Sequence, residues 1–434
     1  MTAWTWIVYP LPLLLIWRWY LRSRRRALAG AAPDDPAAPA AAGEPVSLHP
    51  VIDAALCVGC RECVKACPET PTNNVLSMID GKAELIAPGD CIGHGACKAA
   101  CPVGAISLVF GTAQRGVELP VLTADFETNV AGIFIAGELG GMGLIRNALA
   151  QGVQAVEAIA RRRPRRQGMA DVLIVGAGPA GFAATLTAQS LGLSYVTIEQ
   201  ESLGGCVFQY PRAKLVMTAP VELPLLGKLR LTSTSKEELL EFWQRAERQT
   251  GIAIRYQERV ESIKARGGGF IVKTTRTRYA AASVLLAIGR RGTPRKLGVP
   301  GEHLPKVVYR LIDPQQYNGQ RVLVVGGGDA ALETAADIAE ATDARVAICY
   351  RGTSFIRAKT RNRQRLEAVR RRGRLHALMN SNVREIRPEA VVVEQRGKLL
   401  RIPNETVIVA AGGVVPTDFL QSVGVEVESK FGTA

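Results

Sequence analysis

Asp171-Val-Leu-Ile-Val-Gly176-Ala-Gly178-Pro179-Ala180-Gly181 reads as a buried strand that breaks into a Gly-x-Gly-x-x-Gly turn and continues as an alanine-rich helix. The first two glycines allow a tight reversal and let the backbone approach a pyrophosphate. The third lets the helix pack on the strand, and the helix N-terminus then faces the phosphates. The next apolar strand ends Val196-Thr-Ile-Glu199. An acid about 20 residues beyond the loop suits a ribose diol. A lone glycine loop would carry little weight. With strand, helix and Glu199 around it, the stretch reads as a dinucleotide-binding unit of α/β type.

A second copy begins 150 residues later: Arg321-Val-Leu-Val-Val-Gly326-Gly-Gly328-Asp329-Ala-Ala331. Its next strand, Arg345-Val-Ala-Ile-Cys-Tyr350, ends without Asp or Glu, and Arg351, Arg357 and Lys359 come next. A missing acid with arginines close by favours a 2′-phosphate, hence NADPH over NADH. The competing reading makes these cations a solvated helix face.

Seven of the nine cysteines lie upstream of both loops, in two runs. The first is Cys57-x2-Cys60-x2-Cys63-x3-Cys67-Pro68, the second Cys91-x2-His94-x2-Cys97-x3-Cys101-Pro102. A cubane takes three ligands from one tight loop and the fourth from the other run's Cys-Pro. Cys57, Cys60, Cys63 and Cys101 are therefore expected to hold one cluster. Cys91, Cys97 and Cys67 are expected to hold the other, with His94 where a fourth cysteine would stand. A lone Cys-x2-Cys pair would allow zinc; the compact double run with both Cys-Pro ends argues against it. The rest of the chain has the make-up of a large intracellular enzyme, which argues against a disulfide framework.

This region resembles the bacterial two-cluster ferredoxins over residues 51–109. The departure is His94. It leaves an imidazole-ligated [4Fe-4S] cluster, a [3Fe-4S] cluster on three thiolates, or a histidine that points away and binds nothing.

The two glycine loops at this spacing resemble the flavoprotein disulfide-reductase superfamily, in particular its thioredoxin-reductase-like branch, over most of residues 115–434. The resemblance implies FAD at the first loop and NAD(P)H at the second. Leu285-Leu-Ala-Ile-Gly289-Arg and Val407-Ile-Val-Ala-Ala-Gly412-Gly match the branch's two linking strands. One feature is out of order. The family closes its FAD domain with a C-terminal Thr…Gly-Ile/Val-Phe-Ala-x-Gly-Asp segment, whereas here Thr128-Asn-Val-Ala-Gly-Ile-Phe-Ile-Ala-Gly137-Glu138 stands upstream, followed by a helix containing Arg146-Asn147. The words Phe110-Gly-Thr-Ala113 and Phe431-Gly-Thr-Ala434 occur at both sides of this cut. A circular permutation is the expectation. Glu138 would then lie on the flavin ribityl chain, and the helix after it near the isoalloxazine. Fusing the closing segment to the ferredoxin module would bring flavin and cluster within tunnelling reach.

The paired cysteines of this superfamily are absent from both places where its branches carry them. Asp313-Pro-Gln-Gln-Tyr-Asn-Gly-Gln-Arg321 precedes the second loop without a Cys-x2-Cys, and Leu203-Gly-Gly-Cys206-Val-Phe-Gln-Tyr210 holds one cysteine. Cys206 is either a single thiol beside the flavin or simply packed; Cys349 lies in an apolar strand and belongs to a core. Of the histidines, only His94 has a motif context; His49, His303 and His376 read as structural or exposed. No hydrolase constellation is evident. Hydride transfer requires stacking of nicotinamide on flavin rather than a protein acid, so no catalytic side chain is assigned.

The chain has 434 residues, a hydrophobic fraction of 47% and a net charge of +15. Much of the charge lies in Arg22–Arg26, Arg161–Arg166 and Arg357–Arg374. No nucleic-acid module accompanies these runs, so a membrane surface or an acidic redox partner fits them better. Trp4–Leu21 is apolar with aromatics at both ends, and as a helix would span roughly 27 Å. A cleaved signal peptide would carry its positive charge before the apolar run; here the charge follows it, and the expectation is that the chain beyond Leu21 lies on the cytoplasmic side. A helix lying in the interface is the alternative to a single anchor. Ala27–Pro45 reads as a tether.

The expected fold is α/β: two Rossmann-like three-layer dinucleotide-binding domains, a small α+β ferredoxin domain and an N-terminal transmembrane helix. The expected divisions are an anchor (1–26), a linker (27–50), the ferredoxin-like domain (51–113), the displaced closing segment (114–163), the FAD domain (171–303), the NAD(P)H domain (304–415) and a return segment (416–434). The expected function is electron transfer between NAD(P)H and a single-electron acceptor at the inner membrane. A cytochrome or a quinone-linked subunit is the expected partner, with a second copy of the chain as a further candidate and no nucleic acid. A disulfide or polysulfide reductase, and a redox relay or sensor without turnover, are the rival readings.

Overall fold

Ala170–Val175, the strand before the first glycine loop, is buried on both faces, as expected for a parallel strand covered by helices. It lies inside a seven-stranded sheet ordered Ile254–Arg255, Tyr195–Ile198, Ala170–Val175, Arg278–Leu286, Gly269–Thr274 and Val260–Arg266, with Ile133–Ile135 added beside Arg278–Leu286. The structure is a computed structural model that describes residues 17–18, 45, 48–113, 116–141, 143–162, 167–210, 215–217, 220–229, 233–290 and 293–432.

The pairing of Ile133–Ile135 matters most. It runs parallel to Arg278–Leu286, with Ile133 opposite Val284 and Ile135 opposite Leu286. The next long helix, Ile145–Arg161, buries Ala148, Ala155, Val156 and Ile159 on one face. That face shares a core with Val172, Ile174, Ala180, Ala184 and Leu285. Each large aliphatic so buried contributes about 1.5–3 kcal/mol. Further along, Val427–Lys430 pairs antiparallel with Val117–Pro120. Ile133–Ile135 thus belongs to the same sheet, and Ile145–Arg161 to the same core, as residues 170–286, while Val117–Pro120 and Val427–Lys430 form a two-stranded sheet of their own.

The second glycine loop has its own five-stranded parallel sheet, ordered Val307–Val308, Thr406–Val409, Arg321–Val325, Arg345–Tyr350 and Leu375–Met379. A three-stranded antiparallel sheet, Ser381–Arg387, Ala390–Gln395 and Lys398–Pro403, comes after its last strand. The two linking stretches meet where Thr293–Pro294 pairs with Gly413–Val414.

The cysteine-rich region is a separate compact unit spanning His49–Val109. Its terminal strands pair His49–Ile52 with Ile106–Val109, and a hairpin joins Leu76–Ile79 to Lys82–Leu85. Its core is largely sulfur: Cys57, Cys63, Cys67 and Cys97 are buried with Val75, Leu76, Ala83, Ala105 and Ile106. The unit begins two residues before the expected 51 and ends four before the expected 113. Phe110–Ala113 side with the larger unit because Phe110 accepts a backbone hydrogen bond from Gly432.

Of the expected transmembrane helix only Trp17 and Arg18 fall within the described residues. Among the described residues no helix is long and apolar enough to cross a membrane. The runs 22–26 and 163–166, most of the Ala/Pro-rich tether, and Thr433-Ala434 lie outside them.

Candidate cofactor sites

The first glycine loop is shaped by close approaches that exclude any side chain. Gly176 has φ +103°, and a Cβ there would stand 2.5 Å from the Ala287 carbonyl oxygen. A Cβ on Gly181 would lie 1.8 Å from the carbonyl oxygen of Gly176. The helix Pro179–Ser190 starts directly after Gly178, so its first N–H groups line the turn. Pro179 and Ala180 form its first turn.

Glu199 is 5% exposed and grips the loop from beneath. Its carboxylate accepts from Ala177 N at 2.7 Å and from Glu201 N at 2.8 Å. Burial pushes its pKa up against these two hydrogen bonds. The glycines of Leu203–Tyr210 close on the same loop: Gly204 N donates to the Ala177 carbonyl at 2.9 Å. A Cβ on Gly205 would come within 3.0 Å of Gly178 Cα. Cys206 is next in the chain and is exposed. Cys349, by contrast, is buried against Ser381 and belongs to the core.

The upstream segment meets this loop. Gly137, at φ +88°, donates its N–H to Gln151 Oε1 at 2.8 Å. A Cβ on Gly137 would stand 3.1 Å from Ala180 Cβ. Gly152 lies so close to the first-loop helix that its Cβ would sit 2.1 Å from the Ala180 carbonyl oxygen. Gly137 and Glu138 are thereby brought beside Pro179–Ala180. Arg146 is exposed and Asn147 half-buried in the first turn of Ile145–Arg161. Glu127 fastens the segment's two ends: it accepts from Gly132 N at 2.8 Å and is bidentate to Arg162.

The second loop repeats the shape. A Cβ on Gly326 would stand 2.3 Å from the Ala410 carbonyl oxygen, next to Ala331; Gly328 precedes the helix Asp329–Ala341. Asp329 accepts from Lys359 N and Asn362 Nδ2, both at 2.7 Å, tying the loop to the arginine-bearing segment. Arg351 and Arg357 are exposed and form no ion pair among the described residues. Much of the basic run beyond them is a solvated helix face: Arg365 pairs with Asp337 and Glu340, and Arg370 and Arg371 with Glu367. The sequence reading missed Tyr350. Its ring packs against Gly327 and Gly352, where a Cβ would stand 2.3 Å and 2.6 Å away, and stacks on Phe355 at 5.5 Å. An extra glycine inside each flanking loop was the available signal.

In the small unit, Cys57, Cys60, Cys63 and Cys101 line one cavity together with Ile52, Val58, Val103 and Ile106. This is the first expected ligand set, in an apolar surround. Backbone N–H groups of Ala83 and Gly59 point at the Cys57 sulfur and lower its pKa. Cys63 is pushed up by burial and then by Cys60 and Cys57. Cys97 is pushed up to about 11 by burial and then by Cys91, Cys67 and Cys63. Cys67 and Cys63 thus both lie near Cys97. Among the described residues no three His, Cys, Asp or Glu side chains are grouped around a single ion. A cubane instead gives each thiolate its own iron. The cavity and the donor set fit iron–sulfur clusters, and the glycine cradles fit two dinucleotides.

A sequence profile for pyridine nucleotide-disulphide oxidoreductases matches residues 173–432. The chain belongs to this oxidoreductase family. A second profile, for a 4Fe-4S dicluster domain, matches residues 49–102. Ferredoxin–NADP reductase of Ignicoccus hospitalis is 31% identical over 273 residues, covering 60% of this chain and 83% of that protein. Bacilliredoxin reductase of Bacillus subtilis is 25% identical over 266 residues, covering 60% and 82%. Among solved structures, bacillithiol disulfide reductase from Staphylococcus aureus shares the fold at TM-score 0.53 and 23% identity, covering 59% of this chain and 80% of that one. This oxidoreductase is an NAD(P)H-dependent flavoprotein that carries a 4Fe-4S dicluster domain in the same chain. The matched span leaves out residues 116–163, although Ile133–Ile135 lies in its sheet.

Proposed function

We propose that this oxidoreductase passes electrons between NADPH and a one-electron acceptor, through FAD and its own two iron–sulfur clusters. The observation that carries the reading is the four-cysteine cavity of the small unit, in the same chain as two dinucleotide cradles and without a cysteine pair beside either. When bound, the flavin exchanges a hydride with nicotinamide and single electrons with a one-electron carrier. The protein's part is to seat and shield. Gly176, Gly178 and Gly181 seat one pyrophosphate and Gly326, Gly328 and Ala331 the other. Glu199 and Glu138 bracket the first site, and Arg351 and Arg357 receive a 2′-phosphate.

The ferredoxin–NADP reductase relative acts, by its name, with a ferredoxin. Here the ferredoxin-like module is covalent. The segment 114–163 is a circularly permuted closing piece of the FAD domain, a reading supported by the pairing of Ile133–Ile135 and by the matching words at Phe110 and Phe431. An apolar anchor at Trp4–Leu21 would hold the protein at the inner membrane, facing the cytoplasm, where a cytochrome or quinone-linked subunit accepts electrons.

A second reading, reduction of a low-molecular-weight disulfide, draws on the exposed Cys206 next to the first loop and on the bacilliredoxin reductase likeness. The deciding experiment is anaerobic purification without residues 1–26, addition of NADPH or NADH, and simultaneous recording of flavin absorbance and cluster EPR. Bleached flavin followed by a reduced-cluster signal supports transfer. Bleached flavin with clusters that stay silent, while a disulfide is turned over, overturns it in favour of the second reading.

A further inference from the structure

We infer that the second cluster of this chain is a four-iron cubane held by Cys91, Cys97, Cys67 and the imidazole of His94, and that it is the more easily reduced of the two. The inference rests on the electron-transfer reading above.

The two cysteine loops take one backbone path. Gly59 and Gly93, each two residues after the first cysteine of its run, have φ of +72° and +70°. Arg61 and Gly95, each two residues before the third ligand, have φ of +66° and +78°. Each of the latter caps a short helix, Glu62–Ala66 or Ala96–Ala99, whose second residue is the buried Cys63 or Cys97. Arg61 holds a left-handed angle that is costly outside glycine, and the second loop keeps the same angle at Gly95, so the two loops share one path at both matched positions. The second loop keeps the geometry of a ligand loop at the position where its ligand changed. His94 occupies the slot that Cys60 fills in the first.

Two further features suit an imidazole there. His94 is half-buried, and its Nε2 is shielded from solvent; a histidine with no inward role at a loop tip would turn its ring nitrogens to water. The residue after it is glycine where the first loop has arginine. A Cβ at Gly95 would stand 3.2 Å from the Leu108 side chain, and its φ of +78° suits glycine, so the turn beside His94 is held in the same shape as the turn beside Cys60.

The charge consequence sets the order of the clusters. A neutral imidazole in place of a thiolate leaves the second site one unit less negative, so an added electron is better tolerated; histidine ligation raises cluster potentials in the same sense. One electron leaving the first cluster oxidises it by one unit and reduces the His94 cluster by one, with no bond made or broken. The His94 site is the electron sink of the pair.

The test uses the full chain with both clusters in place, 15N-histidine labelling, and variants His94→Cys and His94→Ala. Expected are nitrogen hyperfine coupling on a reduced cluster that changes with the isotope, its loss in His94→Cys with all iron retained, and a lower reduction potential for that cluster in the variant. His94→Ala should show an oxidised three-iron signal absent from the wild type. A wild type with no nitrogen coupling, or one already showing the three-iron signal, overturns the inference, as does an unchanged potential in His94→Cys. Nitrogen coupling in a protein whose clusters NADPH does not reduce would sink the electron-transfer reading and leave the ligand assignment standing.

Discussion

Gly432 donates its backbone N–H to the carbonyl of Phe110 at 2.8 Å, so the two Phe-Gly pairs, Phe110-Gly111 and Phe431-Gly432, lie side by side. The strand before one, Val427–Lys430, pairs with the strand after the other, Val117–Pro120. Asn129 stitches the same junction, donating to Gly424 O and accepting from Glu426 N, both at 2.9 Å. A chain cut and rejoined at this point would leave such an arrangement.

The segment's role in FAD retention is testable at Gly152. A valine there would drive its side chain into the Ala180 backbone, an overpacking cost of about 1–3 kcal/mol. Gly152→Val should purify with substoichiometric flavin and unchanged iron content, and deletion of residues 114–163 should lose FAD outright. Full flavin occupancy in the deletion would remove the permutation reading.

Acid should loosen the same segment through Glu127. Burial works against its charge, but Arg162 and the Gly132 N–H more than offset this and hold its pKa below 4.5. A depressed folded-state value means that the stabilisation is present above the unfolded value and is lost as pH falls through the folded one. Flavin release should therefore begin as pH drops below about 4.5. Glu127→Gln should lower stability near neutrality by about 1–2 kcal/mol and flatten that acid limb in a melting-temperature profile.

Nucleotide choice should reside in Arg351 and Arg357. A charge-assisted hydrogen bond contributes about 1.5–3 kcal/mol, so the double alanine variant should bind NADPH at least roughly tenfold more weakly. NADH affinity should hold. Equal weakening of both nucleotides would make the arginines general phosphate contacts or surface charges. Stopped-flow flavin reduction with each donor separates these outcomes.

Cys206→Ser should retain the full rate of NADPH-driven cluster reduction, because Leu203–Tyr210 is a covering turn that carries one cysteine and not the Cys-x2-Cys of a dithiol relay. A large loss of that rate in the serine variant would put the thiol on the electron path.

Iron removal should unfold the small unit alone. Its centre is made of Cys57, Cys63, Cys67 and Cys97, and without iron the burial that pushes Cys97 up to about 11 is offset by no metal bond. Limited proteolysis after chelation should cut within 49–109 while flavin stays bound elsewhere; metal-dependent folding is the general behaviour of such sulfur-cored modules.

Both glycine loops were legible because their residues are dictated locally: Gly176, Gly181 and Gly326 are the points where backbone meets backbone. The spacing groups Cys57, Cys60, Cys63 and Cys101, and those four line one cavity. Gln151 on Gly137, Arg162 on Glu127 and Tyr350 on Gly327 were not legible. Each depends on which surfaces tertiary packing brings together, and no local pattern encodes that. The basic run was half read: its spacing could not say that Arg365, Arg370 and Arg371 already have carboxylates.

The long-range strand pairs have a consequence for biogenesis. Synthesis proceeds from the N-terminus, so the sulfur-cored unit is complete once Val109 emerges, before either nucleotide cradle exists. Ile133–Ile135 must then wait for Arg278–Leu286, and Val117–Pro120 for Val427–Lys430. The apolar face of Ile145–Arg161, by contrast, finds Ala180 and Ala184 on the very next helix, Pro179–Ser190. Metal insertion can therefore precede flavin binding on the nascent chain, and the two waiting strands are the stretches that chaperones would have to cover.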